Sequence, residues 1–370
     1  MILHITNDYS GSTVYKNLTG ALDSLNIEQI IYNPIREANR IGKNKIEFKN
    51  ENSKIIYAHI LNKTDRIFYR RKINKIVDDV EKNVDMSKIS FIHAHTWYSD
   101  GGVAYLLSEK YNIPYIVAVR STDINFFYKL LIHERAFGKK ILHRSEKIIL
   151  INKIFKNLVN NIDSSLYSKL QIIPNGVDQF WIENSIEKKS SWGNSLNILY
   201  VGTFIKRKNL LNVLKAVIAI NRDEKYGIVK CNVVGYGDGN YADAIKKIVE
   251  ENTEIIHNYG KITDKEKLLE IYRQNAVFAM PSKNETFGLV YIEALLQGLP
   301  VLYTENDGID GFYEEKIGEK VRSGDIEDIK SKLILLLENY NNYNIPTNIL
   351  KHNHDWKRIA EVYQQLYMQQ

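Results

Sequence analysis

One cysteine, Cys231, is all that the 370 residues contain. No disulfide can therefore close within the chain, which agrees with a reducing compartment; Cys231 itself, beside an apolar run, reads as a small core residue. No apolar run approaches the roughly 20 residues that cross a bilayer. The opening Met1-Ile2-Leu3-His4-Ile5 reads as a first strand, not as a charged-then-apolar secretion signal. A cytoplasmic protein is the expectation. No nucleic-acid motif occurs. The glycine-rich strand exit Gly235-Tyr236-Gly237-Asp238-Gly239 is out of register with Gly-x-Gly-x-x-Gly, so neither nucleic acid nor a nicotinamide dinucleotide is expected as a partner.

What is present is an ordinary globular composition, 44% hydrophobic, in a chain long enough for two cores of about 150–200 residues each. Its net charge of +6 is unevenly spread. Residues 1–175 hold 26 Lys and Arg against 17 Asp and Glu, so the remainder is slightly acidic. Residues 36–75 alone carry twelve basic side chains against four acidic ones. A solvated helix face and hairpin would account for that cluster; the functional alternative is docking of residues 36–75 on an anionic membrane surface.

Periodicity predicts alternating strands and helices. Buried strands are expected at 1–5, 91–95, 115–119, 148–151, 196–202 and 277–280, a β-hairpin over 44–60, and helices over 66–84, 210–219, 265–274, 325–340 and 356–368. Ile67, Phe68, Ile73, Ile76, Val77 and Val80 should form the apolar side of the 66–84 helix. The most informative stretch is 281–300, PSKNETFGLVYIEALLQGLP. An apolar strand ends at Pro281, a helix is expected from about Thr286 or Phe287, and Gly298 with Pro300 stops it. Glu285 and Glu293, eight positions apart, can then face one side, about two turns separating them. In an open parallel sheet ligands sit beyond the carboxyl ends of strands, near helix N-termini whose free N–H groups suit an anion; Gly288 lets backbone come close.

Glu285, seven residues and Glu293, with Pro281-Ser282 ahead and Phe287-Gly288 between, resembles the signature of the family-four retaining glycosyltransferases. That resemblance implies an α/β GT-B fold: two Rossmann-like domains facing across a cleft, here 1–175 on the acceptor side and 176–350 for a nucleotide-sugar donor, with 351–370 returning as a helix to the first domain. It implies transfer of a sugar from a nucleoside diphosphate to a glycan or lipid-linked glycan, by same-face attack, with no side-chain nucleophile, no cofactor and no metal. Glu285 would contact the donor sugar and Glu293 the ribose. Lys208 falls on the family's diphosphate lysine. Thr286, Phe287, Gly288, Leu289, Gly202, Thr203, Arg207, Lys261 and Ile262 would border the donor. Gly11, Ser12, His95 and Asp123 would face the acceptor side.

The chain departs from the family pattern in two places. Thr203 stands where an arginine is usual, so Lys206 or Arg207 would have to supply that charge. Arg120 stands where the family has a histidine at the catalytic centre, and a permanently charged guanidinium cannot act as a neutral imidazole; it would change the choice of donor, or bind phosphate or an acidic acceptor instead. These departures keep two rivals open: a non-catalytic GT-B subunit, and a nucleotide-sugar epimerase or phosphorylase on the same fold. His93 and His95 share a strand face and could hold a metal in principle, but no third ligand lies near them in sequence.

Overall fold

The computed structural model describes residues 1–186, 197–223 and 227–368. Leu196, expected to open a strand, lies outside them, as do Gln369 and Gln370 at the end of the last expected helix. The chain divides into two units: Met1–Gly176 with His354–Gln370, and Val177–Asn353.

The first unit is built on seven parallel strands: β1 (Ile2–Ile5), β2 (Gln29–Pro34), β3 (Lys54–Ala58), β4 (Phe91–Ala94), β5 (Tyr115–Val119), β6 (Lys147–Leu150) and β7 (Leu170–Ile172). Their order is β3-β2-β1-β4-β5-β6-β7. Helices cover both faces, so β1, β4 and β5 are buried at every position, which is why they read as continuous apolar runs and not as alternating ones. Leu3, Ile5, Ile92 and Ala94 enter one core. Ile2 and Phe91 enter the other, against Leu18 and Leu22 of the helix Thr13–Ser24 and Trp356, Ile359 and Tyr363 of the helix Trp356–Met368. A Cβ at Gly176 would come within 2.6 Å of the Trp356 indole, so that aromatic seat requires glycine.

The second unit repeats the plan with six parallel strands: β8 (Asn197–Val201), β9 (Lys230–Val234), β10 (Ile256–Asn258), β11 (Val277–Ala279), β12 (Val301–Thr304) and β13 (Gly318–Val321), ordered β10-β9-β8-β11-β12-β13. Cys231 is a core residue of β9, and burial pushes its thiol up to about 12. No helix among the described residues is long and apolar enough to cross a membrane.

Three expectations are corrected. No hairpin forms over 44–60: only Lys54–Ala58 is a strand, and it pairs in parallel with β2. The basic helix is Tyr69–Asn83 and not 66–84, because Phe68, at ψ 78°, breaks the helical path. Ile67 and Phe68 therefore fall outside its period and are 74% and 55% exposed, while Ile73, Ile76, Val77 and Val80 are buried as expected. The helix in the 281–300 stretch is Leu289–Leu296, since Gly288 sits in the left-handed region at φ +86°. Thr286 and Phe287 precede it in the loop.

Candidate active site

β8 and β11 are neighbours in the sheet, and the loops leaving their carboxyl ends meet. After β8 the chain passes Gly202 and Thr203 into a 3-10 turn, Lys206–Lys208. Asn209 follows at φ +60°, and its side-chain amide donates to the Pro281 carbonyl (3.0 Å) and the Ser323 carbonyl (2.6 Å). The Lys283 amide donates to the Arg207 carbonyl at 2.7 Å. These bonds hold the basic turn against the loop carrying Glu285.

Glu285 is the hub. Its Oε2 accepts from Lys208 Nζ at 2.5 Å, from Ser282 Oγ at 3.1 Å and from Arg207 Nη1 at 3.3 Å, and Oε1 accepts the Thr286 amide at 3.3 Å. Burial raises the Glu285 carboxyl, but Lys208, and then Arg207, outweigh it and hold the group below its ordinary value. The carboxylate is thus ionised, and two cations converge on one oxygen. Such charge-assisted contacts are about twice as strong as neutral hydrogen bonds. Gly308, at φ +56°, lies beneath: a Cβ there would approach the Glu285 Cβ to 3.3 Å. Neighbouring Asp307 is pushed up to about 6 by burial.

Glu293 stands apart from that pair. It is half-buried on the Leu289–Leu296 helix, where its Oε2 accepts from Tyr272 Oη at 3.1 Å. Burial pushes its carboxyl up to about 7 from an ordinary 4.5. The folded chain therefore holds a proton that the unfolded chain releases, so this contribution to stability is full below about pH 4.5 and is lost as pH rises through 7. Glu293→Gln is expected to gain stability over the parent as pH rises from 5 to 8, by about 1–3 kcal/mol. Melting curves at both pH values check this, and a gap that does not widen contradicts it.

The other expected donor residues take supporting places. Phe287 is buried edge-on against Phe312, rings 4.9 Å apart. Leu289 opens the helix behind Gly288. A Cβ at Gly235 would fall 1.9 Å from the Gly202 carbonyl oxygen, so these two turns touch backbone to backbone. Lys261 Nζ lies 4.8 Å over the Tyr236 ring, and Ile262 follows it in the loop after β10. The Thr203 carbonyl accepts from the Ile205 amide at 2.9 Å and from Tyr200 Oη at 3.3 Å. Between Lys206 and Arg207, it is Arg207 that the fold brings to Glu285.

In the first unit, Asp123 holds backbone in place. Its Oδ2 accepts the Trp97 and Arg120 amides (3.1 and 2.9 Å) and its Oδ1 the Tyr98 amide (3.1 Å). Arg120 Nε donates to the His95 carbonyl at 3.2 Å and Nη1 to Asn175 Oδ1 at 3.5 Å. Gly11 closes a tight turn, and Ser12 precedes the Thr13–Ser24 helix without capping it. The fold supplies the third histidine that sequence proximity did not show: His4 on β1 pairs in register with His93. The His4 and His95 rings are hydrogen-bonded at 3.0 Å, and the rings of His93 and His95 stack at 3.9 Å. Burial lowers all three, His4 to about 3, so they are neutral. One nitrogen from each of the three buried rings lies within 4.8 Å of the others, so the set could hold a metal ion, the third ligand coming from β1.

Residues 182–361 match the model of the family described as glycosyl transferases group 1. An uncharacterized glycosyltransferase of Methanocaldococcus jannaschii is 29% identical over 70% of this chain and 69% of its own length. Among solved structures, sucrose-phosphate synthase from Thermosynechococcus elongatus superposes at a TM-score of 0.74 over 100% of this chain and 98% of its own, at 19% identity. An Anabaena protein solved with UDP and glucose does so at 0.66, over 100% and 99%, at 14% identity. These likenesses establish the GT-B fold. Over residues 182–361, just under half of its length, the chain is thus similar to the group 1 glycosyl transferases.

Proposed function

We propose that this glycosyltransferase takes a sugar from a nucleoside diphosphate and passes it to a glycan acceptor with retention at the anomeric carbon. The observation that carries this reading is the Lys208–Glu285 ion pair at the carboxyl ends of β8 and β11. A leaving nucleoside diphosphate develops charge that Lys208 and Arg207 meet, at a position where removal of one preorganised donor costs about 3 kcal/mol. The N-terminus of the Leu289–Leu296 helix adds roughly 0.3–1 kcal/mol. Lysine, arginine and backbone amides then do the electrostatic work without calling on a divalent cation.

When Lys208 turns to the diphosphate, the Glu285 carboxylate is released to the sugar. Glu293 accepts from the ribose hydroxyls, which favour its ionised form. The bond from the anomeric carbon to the phosphate oxygen breaks, the acceptor oxygen bonds to that carbon on the same face, and the acceptor's proton passes to the departing phosphate. The Anabaena neighbour's ligands make UDP-glucose the first donor to try. With water as acceptor, proton NMR should show the α-anomer of glucose appearing first from this α-linked donor. First appearance of the β-anomer would contradict retention.

A further inference from the structure

Four of the twelve basic residues clustered in 36–75 surround one concavity. A pocket of about 280 Å³ in the first unit is walled by Arg36, Arg40, Arg66 and Lys72, with Asn7 and Ser99 among its polar lining. It opens just beyond the carboxyl ends of β1, β2 and β4, where parallel sheets place ligands. Ser99 begins the thirteen-residue helix Ser99–Tyr111, so that helix's positive end adds to the field.

The cations exceed what the wall's own carboxylates can balance. Asp8 and Glu37 both pair with Arg40, at 3.4 and 3.8 Å. Asp65, behind the wall, meets Lys75 at 3.6 Å and accepts the Asn62 amide. Asp100 accepts from the backbone and side-chain amides of Asn7, and its charge, with that of Asp65, partly offsets the Lys72 ammonium. Lys72 is 6% exposed, its Nζ donating to Ser99 Oγ at 2.9 Å, and burial pushes it down to about 8. Arg36 Nε is buried with no hydrogen-bond partner among the described residues. Burial and then the charge of Arg66 lower the Arg36 guanidinium. Like charges gathered round a concavity, with one buried guanidinium N–H lacking a partner, make a seat for a multiply charged oxyanion.

We propose that this pocket binds a phosphate group carried by the acceptor, between the guanidinium groups of Arg36 and Arg66 and above the Lys72 ammonium. The word acceptor rests on the glycosyl-transfer reading; the anion site does not. The same chemistry is offered by a soluble sugar phosphate and by a polyprenyl phosphate headgroup. Phe127 on the wall and the exposed Ile67 and Phe68 beside Arg66 would suit the lipid carrier.

The test is titration of inorganic phosphate into the full chain with UDP and GDP in excess, so that the donor side is occupied. Saturable binding of one phosphate per chain is expected, weakened about 100-fold in Arg36→Gln/Arg66→Gln, roughly tenfold per lost charged contact. Lys247→Gln, at an exposed position of the second unit, serves as the control and should change nothing. Absence of saturable binding, or equal binding by the double variant, overturns the proposal. Displacement of phosphate by glucose 6-phosphate assigns a soluble acceptor, and displacement only by vesicles of phosphatidylcholine with polyprenyl phosphate assigns a lipid-linked one. Equal displacement by uncharged glucose overturns both. A chain that binds phosphate here but no nucleotide would contradict the transfer reading and leave the anion site standing.

Discussion

Glu285→Ala is expected to turn over about 10²–10³-fold more slowly than the parent while binding nucleoside diphosphate more tightly. The opposite signs follow from the ion pair. Without a donor, the Lys208 ammonium is occupied by Glu285 at 2.5 Å, with Arg207 at 3.3 Å on the same oxygen. A diphosphate has to displace that carboxylate. Removing it leaves two unopposed cations beside the phosphate position, so the nucleotide no longer competes with an internal anion. What the variant loses is the carboxylate that would stand near the sugar during transfer. Stopped assays for turnover and calorimetry for UDP or GDP read the two effects separately. Weaker nucleotide binding together with normal turnover would remove Glu285 from the role assigned to it.

Lys208→Ala is expected to lose on both measures. A hydrogen bond to a charged group contributes about 1.5–3 kcal/mol, so diphosphate affinity should fall roughly 10–100-fold. Turnover should fall further, because charge on the leaving group grows in the transition state. Glu285 keeps Arg207 and Ser282 as partners, which limits the cost to folding. Since the two side chains touch, their effects should not add: the affinity lost through Lys208→Ala should be larger in the Glu285→Ala background, where the ammonium is unopposed, than in the parent. Equal losses in the two backgrounds would mean that the pair does not govern access to the phosphate.

Much of the architecture was open to reading because parallel strands buried on both faces write themselves as apolar runs. β1, β4, β5, β6, β8 and β11 all appear that way. β13 does not: Gly318-Glu319-Lys320-Val321 carries two charges, and its place beside β12 depends on tertiary pairing. The false hairpin over 44–60 has the same origin, since alternation marks a strand but says nothing of its partner. Ile67 and Phe68 share the helical spacing of the core positions, yet the Phe68 backbone breaks the helical path, so the helix begins after them. The left-handed Gly288 likewise starts the Leu289–Leu296 helix later than the spacing predicts, leaving Phe287 outside it.

At the site, residue identities were visible and their couplings were not. Glu285 and Lys208 each stood out by resemblance, as separate ligands of sugar and phosphate. That they neutralise one another across 77 positions is a fact of packing. Asn209, which ties the two loops together, had no signal beyond being a residue that tolerates positive φ. His4 lies 89 positions before His93, and only the register of β1 with β4 joins them. The basic cluster of 36–75 was plain in the composition, but its division into a pocket wall and a solvated remainder depends on how the turns after β1 and β2 fold.

The most direct measurement is a calorimetric comparison of UDP with uridine, and of GDP with guanosine, in the parent and in Lys208→Ala. The account predicts that the diphosphate raises the parent's affinity for one of these bases, and that Lys208→Ala loses about 10–100-fold of that gain with nucleoside binding unchanged. A diphosphate gain of the same size in both proteins would contradict it.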